Sequence, residues 1–223
     1  FGAVETFTID VENSTASNAN ASDAHDLTLT AVFDDTADAG ICDVAPSNFT
    51  AEIQNSGGGT VRLLTENTDY VTSFSGAPAC TLTITMQSNS ARIEPDNHLV
   101  VTYDATLDID GVDGTLFNST VTATEWFSAD NTAANVAIGQ IRRYTNDSAD
   151  EQDVLQLEVL APVLEMDKEV FNVSTNTAAP AGPTIVNLQA EAGDRLRYTI
   201  TVRNVGRAGI ADFSITDEPD VLT

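Results

Sequence analysis

Phe7-Thr8-Ile9-Asp10-Val11-Glu12-Asn13 is the stretch that decides the fold, because its pattern returns near the end of the chain as Tyr198-Thr199-Ile200-Thr201-Val202-Arg203-Asn204. Both copies alternate apolar and polar residues, which is the pattern of a half-buried β-strand. A second block, Asp26-Leu27-Thr28-Leu29-Thr30, returns as Asp212-Phe213-Ser214-Ile215-Thr216 after a shorter loop. A unit that recurs in this way predicts like-folded modules in tandem.

The same alternation runs through much of the chain, in segments rich in Thr and Val that Asn, Asp, Gly and Pro separate. Its apolar members fall at every second position: Leu27, Leu29, Ala31 and Phe33; Leu82, Ile84 and Met86; Leu99, Val101, Tyr103, Ala105, Leu107 and Ile109; Leu155, Leu157 and Val159. No segment has the period of a convincing amphipathic helix. An all-β fold is therefore predicted, an immunoglobulin-like antiparallel β-sandwich.

Turn residues divide the strands and mark a module boundary. Ser56-Gly57-Gly58-Gly59 predicts a hairpin turn, and the polar stretch 129–150 is either a long loop or an extra hairpin. Pro162 can end a sheet while keeping the chain extended. We expect one sandwich module in residues 1–162, with the option that its first strand precedes residue 1, and the opening strands of a second module in residues 163–223.

Composition narrows the classes of partner. Hydrophobic residues make up 42% of the 223 residues, enough for a core, and the formal net charge is −25 with a pI near 4.1. Such a charge repels nucleic-acid phosphates and anionic lipid head groups and keeps a long surface polymer in solution. No apolar run approaches the roughly 18 residues that span a bilayer. We expect neither nucleic acid nor direct membrane insertion.

Cys42 and Cys80 are the only cysteines, and each stands beside turn residues. They are not spaced as a metal-ligand pair. In an acidic, Thr-rich and loop-rich chain, this usage is typical of an extracellular protein with a disulfide. We predict a Cys42–Cys80 disulfide, with two buried free thiols as the alternative.

Three carboxylates crowd the predicted turn Asp108-Ile109-Asp110-Gly111-Val112-Asp113-Gly114. Carboxylate oxygens are preferred Ca²⁺ ligands, so Asp108, Asp110 and Asp113 form a candidate calcium site. The pattern lacks the distal Glu and the flanking helices of an EF-hand. An ordinary Asp-Gly hairpin is the alternative, and in that case no cofactor is expected.

Three stretches near the end of the chain carry a family pattern: Ala161-Pro162-Val163-Leu164-Glu165-Met166-Asp167-Lys168, Ala192-Gly193-Asp194-Arg195-Leu196-Arg197-Tyr198-Thr199-Ile200-Thr201-Val202-Arg203-Asn204-Val205-Gly206, and Ile215-Thr216-Asp217-Glu218-Pro219. They resemble the conserved-repeat domains found in tandem in bacterial and archaeal surface proteins and adhesins, a family related to isopeptide-forming fimbrial domains. The match covers residues 161–220, and the first module matches more loosely. The resemblance implies immunoglobulin-like folding and an extracellular structural or adhesive role.

The same resemblance makes Lys168 and Asp217 candidates for an isopeptide cross-link, because related fimbrial domains join a lysine to an Asn or Asp with the help of a buried acid. Lys168 is the only lysine, and it alternates in phase with Leu164, Met166 and Val170. This phase predicts that its amine points toward the core, where an unpaired ammonium is costly and an amide bond would remove that cost. The alternative is a plain ion pair at the rim of the sandwich.

Asn-x-Ser/Thr sequons mark candidate N-glycosylation sites, which matter if the source organism glycosylates secreted proteins. They lie at Asn13, Asn20, Asn48, Asn118, Asn146 and Asn172.

Catalytic patterns are missing from the sequence. His25 and His98 are the only histidines, and neither has a nucleophile or a metal partner at a suitable spacing. The chain also lacks a Gly-rich phosphate loop, a nucleophile elbow and a zinc pattern. We expect a non-enzymatic, extracellular protein at a cell surface or secreted from it: a structural repeat of a fibre, stalk or adhesin whose partners are neighbouring copies of the module. The alternatives are an adhesive module for a glycan or protein receptor, and a self-assembling filament subunit that exchanges strands.

Overall fold

The computed structural model describes residues 2–14, 22–34, 40–108, 112–137, 139, 141–146, 151–178 and 188–217. The chain divides into two compact units, Phe1–Val159 and Leu160–Thr223, here called unit 1 and unit 2. The division falls close to Pro162, where the sequence places a module boundary.

Strands dominate the described parts of both units. In unit 1 they are β1 (Val4–Glu12), β2 (His25–Phe33), β3 (Ser47–Gln54), β4 (Thr60–Leu64), β5 (Tyr70–Ser75), β6 (Thr81–Met86), β7 (His98–Thr106), β8 (Leu116–Phe127), β9 (Arg143–Thr145) and β10 (Gln152–Glu158). In unit 2 they are β11 (Leu164–Asn172), β12 (Thr177–Ala178) and β13 (Leu196–Asn204). A 3₁₀ turn, Asn89–Ala91, and one short helix, α1 (Ala133–Ala137), complete the described elements.

Unit 1 is a sandwich of two antiparallel sheets. The first sheet has the order β1-β7-β3-β4, and the second has the order β10-β8-β2-β6-β5 with β9 paired to β8. Strands β1 and β7 pair along their whole length, from Val4 with Thr106 to Glu12 with His98. This arrangement confirms the predicted all-β antiparallel sandwich; the tandem arrangement stays a prediction.

The core of unit 1 lies between the two sheets and is built from the alternating residues of the sequence pattern. Every second residue of β7 is buried, and the same holds for β6. An aromatic cluster joins the sheets: the rings of Phe7 and Phe33 lie 6.5 Å apart, and that of Tyr103 stacks on Phe7 at 5.5 Å. Period-two alternation thus places one set of side chains inside and leaves Thr and Asp outside.

The first and last strands of unit 1 have their outer ends at the same end of the sandwich. Leu107, just after β7, donates a backbone hydrogen bond to Ala3, and Val159 donates one to Thr115, just before β8. The buried Cys42–Cys80 disulfide belongs to this end too, because Asp108 donates its backbone N–H to Gly40. At the edge of the sandwich away from β1 and β10, residues 65–69 connect β4 of the first sheet to β5 of the second.

The polar stretch after β8 contains the extra hairpin that the sequence left as one of two alternatives. Strand β9 pairs antiparallel with the end of β8, with Trp126 opposite Tyr144. The five-residue helix α1 lies in the connection between them. No helix among the described residues is long and apolar enough to cross a membrane.

Unit 2 contains, in its described residues, one antiparallel sheet of three strands in the order β12-β11-β13. Strand β11 pairs with β13 from Leu164 opposite Asn204 to Asn172 opposite Leu196. Residues 212–216, which repeat the β2 block, do not form a strand, because no described strand pairs with residues 205–217. Only the first block of the internal repeat is therefore a strand in both copies.

Candidate functional site

An open cleft lies between the two sheets of unit 1, on the side where β1 and β10 form the sheet edges. Its volume is about 590 Å³, within the range of ligand-binding clefts. Residues of β1, β8 and β10 form its walls, and Leu27, Leu29, Val121 and Ala123 contribute apolar surface. The cleft is therefore a groove with apolar lining, bordered by two strand edges.

Leu155 shows that the described residues leave this side of the sandwich open. It lies directly opposite Ser119 across the β8–β10 pair, and Ser119 is buried between the sheets. Directly opposite residues share one face of a sheet, so Leu155 faces inward. Leu155 nevertheless remains 50% exposed.

Tyr103 supplies a buried polar group to the cleft lining. Its ring stacks between Phe7 and Phe49, at 5.5 and 5.6 Å, and burial raises the pKa of its phenol. The hydroxyl is buried without a hydrogen-bond partner among the residues that the structure describes. An unsatisfied buried hydroxyl costs about 1–3 kcal/mol, so a polar group entering the cleft would be stabilised there.

Strand β1 presents a free hydrogen-bonding edge beside the cleft. Asn13 donates its N–H to Asn97, and Leu107 donates to Ala3, so the odd-numbered residues from 3 to 13 hydrogen-bond to β7. Because alternate residues of an antiparallel strand point their backbone groups in opposite directions, the even-numbered residues 4–12 point away from β7. No described strand pairs with that edge.

Acidic side chains border the cleft. Asp10 and Glu12 of β1, and Asp153 of β10, are among its lining residues and are exposed. Nδ1 of His98 lies 2.8 Å from Oδ1 of Asp10, within hydrogen-bonding distance. At the same cleft, Trp126 stacks on Tyr144 with ring centroids 5.7 Å apart. The rim along β1 is thus anionic, and the interior, Asp153 apart, is apolar and aromatic.

The cysteines form a disulfide, with their Cα atoms 5.2 Å apart. Cys42 precedes β3 of the first sheet and Cys80 precedes β6 of the second, so the bond connects segments that lead into different sheets. Closing a loop of this length contributes about 4 kcal/mol in the chain-entropy model. The bond therefore has a structural role at the end of unit 1 away from the β9 hairpin.

Asp108, one of the three candidate calcium ligands, is buried and turned toward this disulfide. Its carboxylate accepts hydrogen bonds from the backbone N–H of Cys42 at 3.2 Å and of Asp43 at 3.1 Å. Asp110 lies outside the described residues. Within the described residues, no group of three or more His, Cys, Asp or Glu side chains is placed to hold a metal ion, and calcium binding stays a prediction.

Lys168 and Asp217 meet in unit 2, at 2.5 Å between Nζ and Oδ1. The prediction that the amine points into a core is wrong for the described part of unit 2, because the Lys168 side chain is 44% exposed. The reason is that the sheet face with Leu164 and Met166 is itself exposed. The structure holds the pair as an ion pair.

The sequon asparagines differ in whether their side-chain amide nitrogens are buried, hydrogen-bonded or accessible. Asn172 is fully buried and donates to Asp194 at 2.7 Å, so a glycan there is incompatible with the folded unit. Asn13 donates to the carbonyls of Ser22 and Ile93. Asn48 is exposed but donates to Asp104 at 2.9 Å.

Two further sequon positions remain accessible. Asn146 is exposed and Asn118 is half-buried, whereas Asn20 lies outside the described residues. Asn146 is therefore the described sequon position that is best placed to carry a glycan.

A cluster of charged residues that residue spacing does not reveal holds β4 to the segment before β7. Arg62 donates to both carboxylate oxygens of Glu94, at 2.6 and 2.7 Å, and to the carbonyls of Ser90 and Arg92. Arg92 also contacts Glu94 at 3.0 Å. The hydrogen bonds from Arg62 lower the pKa of Glu94 to about 2. Because Arg62 and Glu94 are distant in sequence, spacing could not reveal the pair.

No protein-family model and no curated protein sequence matches the chain. Solved structures similar to it include the N-terminal domain of the Streptococcus gordonii adhesin Sgo0707, at 14% identity and a TM-score of 0.40. A second is ACE19, the collagen-binding subdomain of the Enterococcus faecalis surface protein ACE, at 12% identity and a TM-score of 0.36. A third comprises domains D2 and D3 of the major pilin SpaD from Corynebacterium diphtheriae, at 10% identity and a TM-score of 0.37.

The alignments cover different shares of these structures. The chain aligns over 71% of its own length but spans 29% of the Sgo0707 chain. For ACE19 the two shares are 70% and 88%, and for SpaD they are 89% and 67%. Identities and TM-scores this low assign neither a family nor an activity.

Proposed function

We propose that this chain is a non-enzymatic structural unit of an extracellular fibre, stalk or adhesin at a cell surface. The observation that carries the proposal is the succession, along one polypeptide, of a disulfide-bonded β-sandwich and a second β-unit that begins directly after it. Successive modules of one fold class are the usual construction of spacers and arrays. The partners in this proposal are neighbouring copies of the module or subunit.

Two chemical features support an extracellular location. A structural disulfide persists in oxidising compartments and is rare in the cytosol. A net charge of −25 keeps a long surface polymer in solution and apart from anionic lipid. The proposal needs no cofactor, and calcium at Asp108, Asp110 and Asp113 would be an addition to it.

A second candidate function is adhesion to a glycan or protein receptor, and the cleft of unit 1 favours it. The cleft combines a free strand edge, an apolar interior and a stacked Trp126–Tyr144 pair. These are the elements by which proteins bind extended peptides or sugar rings. Adhesion and a structural role are compatible in one fibre.

Cell fractionation with thiol trapping tests the location. Source cells are labelled with a maleimide polymer before and after reduction, and the chain is followed by an antibody. We expect it in the surface or secreted fraction, with Cys42 and Cys80 reacting only after reduction. A cytosolic chain with reactive thiols would overturn the proposal.

Native material tests the fibre role directly. Denaturing electrophoresis and electron microscopy of the purified protein show whether units form one long covalent chain or many short ones. We expect elongated particles in either case. Compact monomeric particles of a size set by this chain alone would contradict a fibre or stalk.

A further inference from the structure

We propose that the cleft of unit 1 binds one additional β-strand, antiparallel to β1, from a partner polypeptide whose strand alternates apolar residues with lysine or arginine. The inference goes beyond the proposed function, because it specifies a partner by its chemistry and holds wherever the chain resides. Four observations carry it: the free edge of β1, the internal repeat, the open interior of the cleft, and the acidic rim.

The free edge supplies the backbone hydrogen bonds. The even-numbered residues of β1, among them Thr6, Thr8, Asp10 and Glu12, direct their N–H and C=O groups away from β7. A row of such groups is a template for one more strand, the mode of recognition known as β-augmentation.

The internal repeat shows which register that strand takes. In unit 2, the stretch 198–204 repeats 7–13, and its strand β13 pairs with β11. Val173 donates to Arg195 and Val205 donates to Val163, so the odd-numbered residues of β13 hydrogen-bond to β11. Their equivalents in β1 are the even-numbered residues, whose backbone groups point to the free edge. The edge that binds β11 in unit 2 is thus the edge left free in unit 1.

The interior of the cleft determines which side chains are favoured on the inward face of the added strand. Val170, Lys168 and Met166 of β11 lie opposite Tyr198, Ile200 and Val202, and these correspond to Phe7, Ile9 and Val11 of β1. A strand in this register would direct alternate side chains between the sheets, toward the half-exposed Leu155. Apolar residues at these positions bury surface that is now exposed.

The charge of the rim determines which side chains are favoured on the outward face of the added strand. In unit 2, Glu165 of β11 lies opposite Arg203, whereas the equivalent residue in unit 1 is Glu12. Asp167 would likewise lie opposite Asp10. Like charges directly opposite each other destabilise a strand pair, and opposite charges stabilise it. The occupant therefore resembles β11 on its inward face but carries cations on its outward face.

Synthetic peptides provide the probes. The cationic peptide spans residues 161–173 with Glu165→Lys, Asp167→Lys and Lys168→Val. Its matched control carries Lys168→Val alone and keeps both acidic residues. Binding to the full chain is measured by calorimetry at low and at high salt. We expect the cationic peptide to bind at least about tenfold more tightly than the control at low salt, and we expect high salt to narrow the difference.

Two variants of the chain locate the site. Thr8→Pro removes a backbone N–H that points to the free edge and keeps the hydrogen bonds to β7, as proline is tolerated on edge strands. It should abolish peptide binding. The double variant Asp10→Asn, Glu12→Gln should keep binding but lose the preference for the cationic peptide. A peptide N-methylated at residue 167, whose N–H faces β1 in this register, repeats the first test without altering the protein.

Each outcome of the binding experiments either supports or overturns the proposal. Saturable binding of the cationic peptide that both Thr8→Pro and N-methylation abolish supports the proposal. Absence of saturable binding, equal affinity for the two peptides, or binding that survives N-methylation overturns it. Binding of neutral oligosaccharides without peptide binding also overturns it, and would assign the cleft to the aromatic pair instead.

Discussion

Lys168 donates a hydrogen bond to Asp217 at 2.5 Å, and the same ammonium lies 5.2 Å from the ring centroid of Tyr198. The pair joins β11 to a segment without strand structure. Both side chains are exposed, at 44% and 36%. Both side chains therefore contact solvent, whereas the related cross-linked domains join a lysine to a carboxyl or amide group with the help of a buried acid.

We predict that Lys168 and Asp217 remain an ion pair in this chain. Intact mass spectrometry should show the sequence mass reduced only by the two hydrogens of the disulfide. A further loss of about 18 Da, the mass of water released by an amide, would contradict this expectation.

Stability provides a second measurement of the same pair. Asp217→Asn should destabilise unit 2 by about 1 kcal/mol or less, because exposed ion pairs contribute little. Hydrogen exchange of the β11 amides measures the effect. Glu169→Gln, on the opposite face of β11, is the matched control.

Removal of the disulfide should destabilise unit 1 by about 4 kcal/mol, the loop-closure value for a bond that spans 38 residues. The double variant Cys42→Ala, Cys80→Ala is compared with the oxidised and the reduced wild type in urea. Trp126 is the only tryptophan and belongs to unit 1, so its fluorescence reports on that unit. Equal midpoints for the oxidised and reduced chain would show that the bond contributes nothing.

Replacement of Asp108 tests its structural use. Asp108→Asn should cost unit 1 about 1–3 kcal/mol, because the charge that accepts the Cys42 and Asp43 N–H groups is lost. Asp43→Asn changes an exposed neighbour and should have little effect. If added calcium at low ionic strength raises the stability of the wild type but not that of Asp108→Asn, the carboxylate binds metal instead.

The Arg62–Glu94 pair predicts a specific dependence of stability on pH. The folded pKa of Glu94, about 2, lies below its ordinary value of 4.5. Its contribution is therefore complete above pH 4.5 and is lost as the pH falls toward 2. Other carboxylates with lowered pKa values, such as Asp69, add to the acid sensitivity of the wild type.

Glu94→Gln isolates this contribution. At pH 7 it should lower the free energy of unfolding by about 1–2 kcal/mol, since the pair is partly exposed. The difference from wild type should shrink steadily between pH 4.5 and pH 2. Glu5→Gln, an exposed substitution on β1, is the control. A difference that stays constant across this range would refute the assigned pKa.

Much of unit 1 was predictable because its strands have one buried and one solvent-exposed face. Alternation identified β1, β2, β6, β7 and β10, and the glycines at 57–59 identified the hairpin between β3 and β4. Strand β9 was one of two open alternatives, because a three-residue strand carries little periodicity. The phase of Lys168 places it on the same face of β11 as Leu164 and Met166, but phase alone does not say whether that face is covered.

Residue spacing along the sequence could not reveal the candidate site. The cleft is defined by which strands are edges, and edge status follows from sheet order. The sequence nevertheless held one usable signal. The repeat of residues 7–13 as 198–204 marks β1 and β13 as equivalent strands. Only the observed pairing of β13 with β11, through the edge that β1 leaves free, turns that equivalence into a partner for β1.

The position of Ala3 and Val159 at one end of unit 1 has a mechanical consequence. A load applied between these two residues pulls β1 away from β7 starting at Val4, so the hydrogen bonds of that ladder break one pair after another. Such peeling needs less force than sliding two strands past each other, where all pairs resist together. A module loaded in this way would act as an extensible element that yields early, and the Cys42–Cys80 bond would then limit how far it lengthens.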